Sequence, residues 1–192
     1  MIAIIKYNAG NIRSVQNSLT RLGYESIITD DENEILNADK VIFPGVGEAS
    51  SAMNYLQQKG LDKIILKVEK PFLGICLGLQ LMCLYSEEGD TNCLGIFNTK
   101  VKLFPKTDIV PHMGWNEFET IDGQLTQGII KSNDLYFVHS YYAEICKNTN
   151  ATCDYILPFS AMLQKDNFYA VQFHPEKSGC NGEQILLNFL KL

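Results

Sequence analysis

The stretch FLGICLGLQLM, residues 72–82, decides how this sequence folds. It begins as a short apolar run typical of a buried strand and continues as a predicted helix, with a cysteine at the bend between them. Gly74 and Gly78 allow the backbone to turn sharply and let the strand and the helix approach closely. A strand, a G-x-C-x-G bend and a helix form a nucleophile elbow, which exposes its central residue at the end of the strand. The stretch therefore predicts Cys76 as a candidate nucleophile.

The residues before and after this stretch continue the alternation of strands and helices. Short apolar runs predict four strands, at residues 2–7, 24–29, 40–47 and 71–75. Helical patterns fall between and after them, at residues 11–23, 48–69 with a break near Gly60, and 77–86. Strands that alternate with helices form βαβ units, so we expect a parallel sheet covered on both faces.

The pattern changes after residue 95, where strands follow one another with few helices between them. They are predicted at residues 99–104, 115–121, 134–145, 159–166 and 168–174. An amphipathic helix is expected over residues 182–192. The second half is therefore expected to be more antiparallel, either as a mixed edge of the main sheet or as a second small sheet.

Length, composition and charge limit the possible functions. The chain has 192 residues, of which 46% are hydrophobic and 20% charged, as in an ordinary globular domain. The formal net charge of −6 argues against a general affinity for nucleic acid or anionic membranes, since both require a basic face. No signal peptide and no run long enough to span a membrane is found, so we expect a cytoplasmic protein.

The six cysteines do not have the pattern of a disulfide scaffold or a metal site. A chain of this length and composition can form its own core without disulfide bonds. No CxxC pair is present, and the three histidines are not at zinc-finger spacing, so a structural metal site is not expected. The five cysteines outside the elbow are interpreted as core or surface thiols.

Cys76 has two possible roles. A thiol at the start of a helix experiences the partial positive charge of the helix N-terminus, which favours the nucleophilic thiolate. The backbone N–H of Leu77 would point toward a group that Cys76 attacks and would be one natural oxyanion donor. The other role is that of a small buried apolar residue, which is the commonest one for a free cysteine.

A cysteine nucleophile needs a base and a residue that orients the base. In YAVQFHPEKSG, residues 169–179, a predicted strand ends at His174 and Glu176 follows two residues later. The carboxylate can hold one ring nitrogen and fix the tautomer of the imidazole. His112 and His139 have no carboxylate so close in the sequence. The glycines of FPGVGEAS, residues 43–50, free backbone N–H groups for a second oxyanion donor, although an ordinary strand-to-helix turn would look the same.

These motifs carry a family resemblance. FPGVGE (43–48), GICLGLQLM (74–82) and VQFHPEKS (171–178), in this order along the chain, resemble the class I, or triad, glutamine amidotransferases. The resemblance runs from about residue 2 to the last residue. It implies a single domain over residues 1–192, built as a three-layer α/β sandwich with a mixed, mostly parallel central sheet. It also implies hydrolysis of glutamine by a Cys-His-Glu triad and transfer of the ammonia to a synthase partner.

Three further segments narrow the resemblance. YNAGNIRSV (7–15), VPHMGWNEF (110–118) and YFVHSYY (136–142) are similar to the glutaminase subunits of imidazole glycerol phosphate synthase, an enzyme of histidine biosynthesis. In that family the partner is a (β/α)₈-barrel cyclase, HisF, which forms a heterodimer with the glutaminase. The cyclase makes imidazole glycerol phosphate and an aminoimidazole carboxamide ribotide. The resemblance implies no cofactor and no metal.

The resemblance also implies roles for individual residues. Catalysis would fall to Cys76, His174 and Glu176. The oxyanion hole would be formed by Gly47, Leu77 and Val46, after reorientation of the Gly45–Val46 peptide. The substrate would contact Gly45, Gln80, Glu88, Ser140 and Tyr141. The partner would lie against Asn11, Trp115, Tyr136 and Lys177. Lys6 and Asn8 depart from the acidic residue and glycine that many members have, in a loop expected near the partner.

Three alternatives remain open at this point. The chain could be a related glutaminase that supplies a different synthase, and the PHMGWN segment speaks against the pyridoxal phosphate system as that synthase. It could be a non-catalytic interaction subunit, although the intact Cys76, His174 and Glu176 argue against this. It could also be a cysteine hydrolase that works without a partner. Co-purification with a barrel cyclase would test the first alternative, glutamate release would test the second, and activity without any partner is what the third predicts.

Overall fold

A computed structural model describes all residues, 1–192, and its main feature is an eight-stranded sheet. The chain forms fourteen strands: β1 (Ile2–Ile5), β2 (Ser26–Thr29), β3 (Lys40–Gly45), β4 (Phe72–Cys76), β5 (Tyr85–Ser86), β6 (Thr91–Asn92), β7 (Lys100–Leu103), β8 (His112–Asn116), β9 (Thr120–Ile121), β10 (Leu135–His139), β11 (Tyr141–Ala143), β12 (Thr149–Tyr155), β13 (Leu157–Lys165) and β14 (Phe168–Val171). The α-helices are α1 (Ile12–Arg21), α2 (Glu32–Asn37), α3 (Ala49–Lys59), α4 (Leu61–Ile65), α5 (Leu77–Met82) and α6 (Gly179–Leu190).

The order of the strands in the main sheet is β2-β1-β3-β4-β14-β13-β12-β9. The first five strands are parallel, and β13, β12 and β9 continue the sheet in antiparallel fashion. The predicted class, α/β with a mixed and mostly parallel central sheet, is therefore confirmed. The second half of the chain forms both a mixed edge of the main sheet and separate small sheets, the two arrangements expected for it. The small sheets have the strand orders β10-β8 and β11-β7-β5-β6.

Alternating residues of the parallel strands fill two cores, one on each face of the sheet. Ile2 and Ile4 of β1 pack with α1 and α6 on one face. Ala3 and Ile5 pack with α2, α3, α4 and α5 on the other. This alternation, with both faces apolar, is what a sheet covered by helices on both sides requires. No helix of the structure has both the length and the apolar character that a membrane span needs.

Several boundaries differ from the predicted ones for local reasons. The helix expected over 77–86 ends at Met82, because Cys83 adopts extended backbone and the chain continues into β5. The run 134–145 divides at Ser140 into two strands that join different small sheets. The short helix α2, whose N-terminus is capped by the Asp31 carboxylate, was not predicted, and neither was β12. The break at Gly60 is confirmed, since this residue has a φ of 69° between α3 and α4.

Three strand ends meet at one edge of the sheet. In the register of the parallel strands, Gly45 of β3 lies opposite Cys76 of β4, and Ile75 lies opposite Val171 of β14. The segments that follow β3, β4 and β14 therefore leave the sheet side by side. Ligands of open α/β sheets bind at this carboxyl edge.

Candidate active site

The backbone between β4 and α5 makes the sharp bend that the sequence predicts. Cys76 has φ 54° and ψ −106°, a conformation that is costly for a residue with a Cβ. Close packing of the glycines on either side holds it there. A Cβ on Gly78 would lie 1.9 Å from the carbonyl oxygen of Phe43, and one on Gly74 would lie 2.4 Å from the sulfur of Met82. The bend therefore depends on close contacts that only glycine allows.

His174 and Glu176 form a buried pair beside Cys76. Their side chains are fully buried, and His174 Nδ1 lies 2.7 Å from Glu176 Oε1. Since a carboxylate oxygen accepts, Nδ1 carries a proton, and Nε2 is the ring nitrogen that can exchange a proton with a group in front of it. Nε2 is buried without a hydrogen-bond partner. The structure thus brings together the three residues that the sequence singled out for catalysis.

Opposing effects act on the imidazole of His174. Burial lowers the pKa of His174, but the side chains of Cys76 and Glu176 raise it by more, so that the pKa lies above its ordinary value. A protonated imidazole beside the sulfur favours the thiolate form of a cysteine. The electrostatics of the pair therefore suit a nucleophilic Cys76.

Asn11 is the third member of this buried group. Its side-chain amide donates to Glu176 Oε1 and lies 3.3 Å from His174 Nδ1. Asn11 also has a positive φ of 74°, which is uncommon for a residue other than glycine. The resemblance assigned Asn11 to the partner interface, but in the structure its amide contacts the carboxylate of the candidate triad.

A cleft of about 250 Å³ opens in front of Cys76. It is lined by residues predicted for the oxyanion hole and for substrate binding, by Cys76 itself and by three others. The lining residues are Val46, Gly47, Cys76, Leu77, Gln80, Glu88, Pro111, Val138, His139, Ser140 and Tyr141. Gly45, also predicted to contact substrate, is not among them. It is buried, and a Cβ on it would lie 2.0 Å from the hydroxyl oxygen of Tyr7.

The loop after β3 is tied to the loop after β1. The carbonyl of Val46 accepts a hydrogen bond from the N–H of Gly10 at 3.3 Å. Gly10 precedes Asn11, whose amide reaches Glu176. A single short loop thus contacts both the predicted oxyanion segment and the carboxylate of the buried pair.

Glu88 provides a negative charge in the wall of the cleft. Its Oε2 accepts a hydrogen bond of 2.8 Å from the N–H of Ala49, at the start of α3. Partial burial raises the pKa of Glu88, with a further rise from the charge of Glu48, while the hydrogen bond from Ala49 opposes both. A carboxylate in this position can bind the ammonium group of an amino acid.

Two buried histidines support another part of the wall. His139 Nδ1 lies 2.7 Å from the carbonyl of Tyr141, and His139 Nε2 lies 3.0 Å from His112 Nδ1. Burial lowers the pKa of His112 to about 4 and that of His139 to about 3, so both rings are neutral. Because a carbonyl only accepts, His139 carries its proton on Nδ1 and accepts the Nδ1–H of His112.

Three of the four predicted interface residues lie together on the surface. Trp115 is 57% exposed and meets the ring of Tyr136 edge-on at 5.7 Å. Lys177 Nζ lies 5.9 Å from the centre of the Tyr136 ring. This aromatic surface, Trp115–Tyr136–Lys177, adjoins the buried pair, since the N–H of His174 donates to the carbonyl of Tyr136 at 2.9 Å.

Three buried polar residues at the site did not emerge from the sequence. Gln172 contacts the sulfur of Cys76, Ser178 accepts the N–H of Tyr136 and donates to the carbonyl of His174, and Tyr7 places its hydroxyl against Gly45. The sequence did contain one indication of Gln172. This residue is polar within the apolar run YAVQFH, and it lies two residues before His174, which places both side chains on the same face of a strand.

Comparisons with known proteins agree with this geometry. The family model "Glutamine amidotransferase class-I" matches residues 3–192. The imidazole glycerol phosphate synthase subunit HisH of Bacteroides fragilis (strain YCH46) is 56% identical over 194 residues, which cover 100% of this chain and 99% of that protein. The HisH subunit of Pasteurella multocida is 45% identical over 192 residues, with coverage of 99% and 97%.

Solved structures show the same fold at lower identity. A Thermoplasma acidophilum protein described as part of a GMP synthase superposes with a TM-score of 0.78 at 19% identity, covering 100% of this chain and 92% of that one. This structure shows the shared fold, while the family model over residues 3–192 and the relatives of 45% and 56% identity show the family. The chain belongs to the class I glutamine amidotransferase family and, within it, to the group of HisH subunits of imidazole glycerol phosphate synthase.

Proposed function

We propose that this chain hydrolyses L-glutamine through a Cys76–His174–Glu176 triad and passes the ammonia to a cyclase subunit in histidine biosynthesis. The observation that carries the proposal is the free, buried Nε2 of His174 beside Cys76, with Nδ1 held by Glu176 at 2.7 Å. A base oriented in this way, next to a cysteine at an elbow, is the arrangement that nucleophilic catalysis needs.

The chemistry follows from these positions. The thiolate of Cys76 attacks the side-chain amide carbon of glutamine, and the imidazolium of His174 protonates the departing ammonia. The resulting glutamyl thioester is hydrolysed by a water molecule that His174 deprotonates, which releases glutamate and restores the cysteine. Glu176 holds the imidazole in the orientation that both steps need.

The cleft supports glutamine as the substrate. The Glu88 carboxylate suits the α-ammonium group, and Ser140 and Tyr141 line the same cleft. The N–H groups of Leu77 and of the Val46–Gly47 segment are the proposed oxyanion donors. Loss of one such donor typically lowers the rate by a factor of about 10² to 10³.

The loop of the oxyanion hole is a proposed gate. Gly47 has a φ of 133°, and the carbonyl of Val46 is held by Gly10. Reorientation of the Gly45–Val46 peptide on partner binding would complete the hole only when the ammonia can be used. The aromatic surface is the proposed docking site, because its Tyr136 carbonyl is hydrogen-bonded to the backbone of His174.

The proposed partner is a (β/α)₈-barrel cyclase, HisF, bound as a heterodimer. The support is the resemblance of the sequence and the word "subunit" in the names of its relatives. Ammonia released at Cys76 would be used by the cyclase on its nucleotide substrate, giving imidazole glycerol phosphate and an aminoimidazole carboxamide ribotide. A cytoplasmic location stays a prediction.

The test measures glutamate release from glutamine, with and without the cyclase and its nucleotide substrate. We expect activity that requires the partner and that falls by a factor of at least about 10³ in Cys76→Ala. Cys83→Ala is the matched control, since Cys83 is also buried but bonds only to the carbonyl of Leu79. Equal activity with and without the partner would retain the triad and exclude the gate. Full activity of Cys76→Ala would exclude the triad.

A further inference from the structure

Two buried glutamines connect the wall of the cleft to the sulfur of Cys76. Gln80 Nε2 donates to the carbonyl of Tyr141 at 3.0 Å and to Gln172 Oε1 at 3.1 Å. Gln172 Nε2 in turn lies 3.6 Å from Cys76 Sγ, an ordinary donor distance for sulfur. Gln172 is fully buried and Gln80 is 4% exposed, so neither amide can exchange its partners for bulk water.

The hydrogen bond between Gln80 and the carbonyl of Tyr141 fixes the direction of the other hydrogen bonds in this series. The carbonyl of Tyr141 can only accept, so the amide of Gln80 must present its NH₂ group there. The same NH₂ group donates to Gln172, which must therefore turn its carbonyl oxygen toward Gln80. The NH₂ group of Gln172 is left facing Cys76. The orientation of this amide thus follows from chemistry that does not involve the sulfur.

The carbonyl of Tyr141 is itself held from a second side. His139 Nδ1 donates to it at 2.7 Å, so the oxygen accepts two hydrogen bonds, one for each lone pair. Two donors converge on this oxygen, which excludes proton transfer through it. The series of hydrogen bonds can therefore fix positions but cannot carry a proton to the cysteine.

Besides the imidazole of His174, which also favours the thiolate, two neighbours of the sulfur favour different protonation states. The carbonyl of Val138, at 4.0 Å, can only accept a hydrogen bond, and only a neutral thiol can donate one to it. The N–H of Gln172 is closer, at 3.6 Å, and stabilises a thiolate. Hydrogen bonds to an ionised acceptor are roughly twice as strong as those between neutral groups, so the nearer donor outweighs the more distant carbonyl.

We propose that Gln172 is a further catalytic residue, whose amide N–H holds the sulfur of Cys76 as a thiolate aimed into the cleft, and that Gln80 is the positioning residue that keeps this amide from turning over. This inference rests on the proposed function, in which Cys76 is the nucleophile. It also reassigns the predicted role of Gln80, because the NH₂ group of that amide is used inside the protein and only its carbonyl oxygen remains for substrate.

The test measures how fast iodoacetamide alkylates Cys76 as a function of pH in the full-length chain, with the site identified by mass spectrometry. Gln172→Met preserves the unbranched shape but has no N–H donor. We expect the midpoint of its alkylation profile to move about one pH unit upward. In the complex with the cyclase, we expect kcat for glutamate release to fall about tenfold with KM nearly unchanged. A purely structural role for Gln172 would change the melting temperature and leave the midpoint in place.

Three further variants test whether the shift comes from the amide N–H of Gln172. Gln172→Glu retains an acceptor for Gln80 but places a carboxylate oxygen toward the sulfur, so its midpoint should rise more than that of Gln172→Met. Gln80→Met should produce a smaller shift, because the amide of Gln172 is then free to turn. Gln164→Met is the control, since Gln164 lies on β13 and its side chain contacts Asn150.

The outcomes separate this inference from the proposed function. Folded Gln172→Met and Gln172→Glu proteins with the wild-type alkylation midpoint would overturn the inference and leave the triad intact. If alkylation of Cys76 did not inactivate the wild-type enzyme, the proposed function would fail and the inference with it. A midpoint shift in both Gln172 variants, and none in Gln164→Met, would support the inference.

Discussion

Cys76 is the last residue of β4, His174 lies three residues beyond the end of the adjacent strand β14, and the two are held by different means. Cys76 is fixed by backbone geometry, through its positive φ and the contact of Gly78 with the carbonyl of Phe43. The side chain of His174 is fixed by the hydrogen bond that its Nδ1 donates to Glu176, and the Glu176 carboxylate also accepts a hydrogen bond from the amide of Asn11. The proposed nucleophile, Cys76, should therefore be sensitive to a loss of space, whereas the proposed base, His174, should be sensitive to the loss of a hydrogen-bond partner or a charge.

The largest effect is expected for Gly78→Ala. A methyl group at this position would lie 1.9 Å from a backbone oxygen that cannot move without disturbing β3. We expect the free energy of unfolding to fall by about 3 kcal/mol or more, measured by urea denaturation. Gly60→Ala is the control, because Gly60 has a positive φ of 69° but no atom within 4 Å of the position that a methyl group would take, and it should cost only about 1 kcal/mol. If the two variants lost the same unfolding free energy, the clash with the carbonyl of Phe43 would not be the cause of the loss in Gly78→Ala.

The next effect is expected for Glu176→Gln. This change removes the charge that orients and stabilises the imidazolium but preserves the shape of the side chain. We expect kcat for glutamate release to fall by about 10²-fold. Stability should change little, because Glu176 Oε2 is already buried without a partner. A variant that melted far below the wild type would show that this carboxylate holds the fold as well as the base.

We expect low pH to destabilise the wall of the cleft, because that wall depends on hydrogen bonds made by histidine side chains. The pKa of His112 is lowered to about 4 in the folded protein, below the ordinary value of 6.5, so its stabilising effect is complete above pH 6.5 and is lost as the pH falls toward 4. We expect the loss of unfolding free energy between pH 7 and pH 5 to be smaller in His112→Gln than in the wild type, by about 2 kcal/mol.

His174 does not mask this acid effect. Its pKa is raised in the folded protein, so its contribution is fully present below pH 6.5 and is lost only as the pH rises through the folded pKa. Urea denaturation at pH 7 and pH 5 on both proteins gives the comparison. Identical pH dependence in the wild type and in His112→Gln would show that His112 is protonated as easily in the folded protein as in the unfolded one.

The smallest effect is expected for Asn11→Gly. Glycine accepts the φ of 74° without strain, so the change removes the amide that contacts Glu176 and little else. We expect kcat to fall about fivefold, which corresponds to the roughly 1 kcal/mol that one hydrogen bond typically contributes. Asn11→Ala should show the same fall in kcat together with a loss of stability, because alanine is strained at this φ. Unchanged kcat in Asn11→Gly would leave a partner contact as the remaining role for this residue.

The sequence was most informative where structure is local. The elbow, the break at Gly60 and the parallel order of the first four strands follow from glycine positions and apolar runs that lie within a few residues of one another. The helix α2 was missed because it is only six residues long and has one buried side chain, Ile35, which gives no periodic pattern.

The sequence was least informative where the structure depends on pairing between distant segments. Gly45 matches a family position for substrate, yet it is buried against Tyr7, which follows a different strand. The direction of the Gln172 amide depends on Gln80 and on the carbonyl of Tyr141, which come from three separate segments of the chain. Such relations exist only after folding, so no local pattern of residues encodes them.

The pairing of β4 with β14 has a consequence for synthesis of the protein. Gln172, which directly follows β14, comes 96 residues after Cys76, and at about 5–20 residues per second the ribosome needs roughly 5–20 seconds to make that interval. During this time the elbow cysteine exists without its base and without the amide that faces it. The proposed triad therefore cannot form until β14 is inserted between β4 and β13, so the proposed glutaminase activity requires that His174 has first been synthesised.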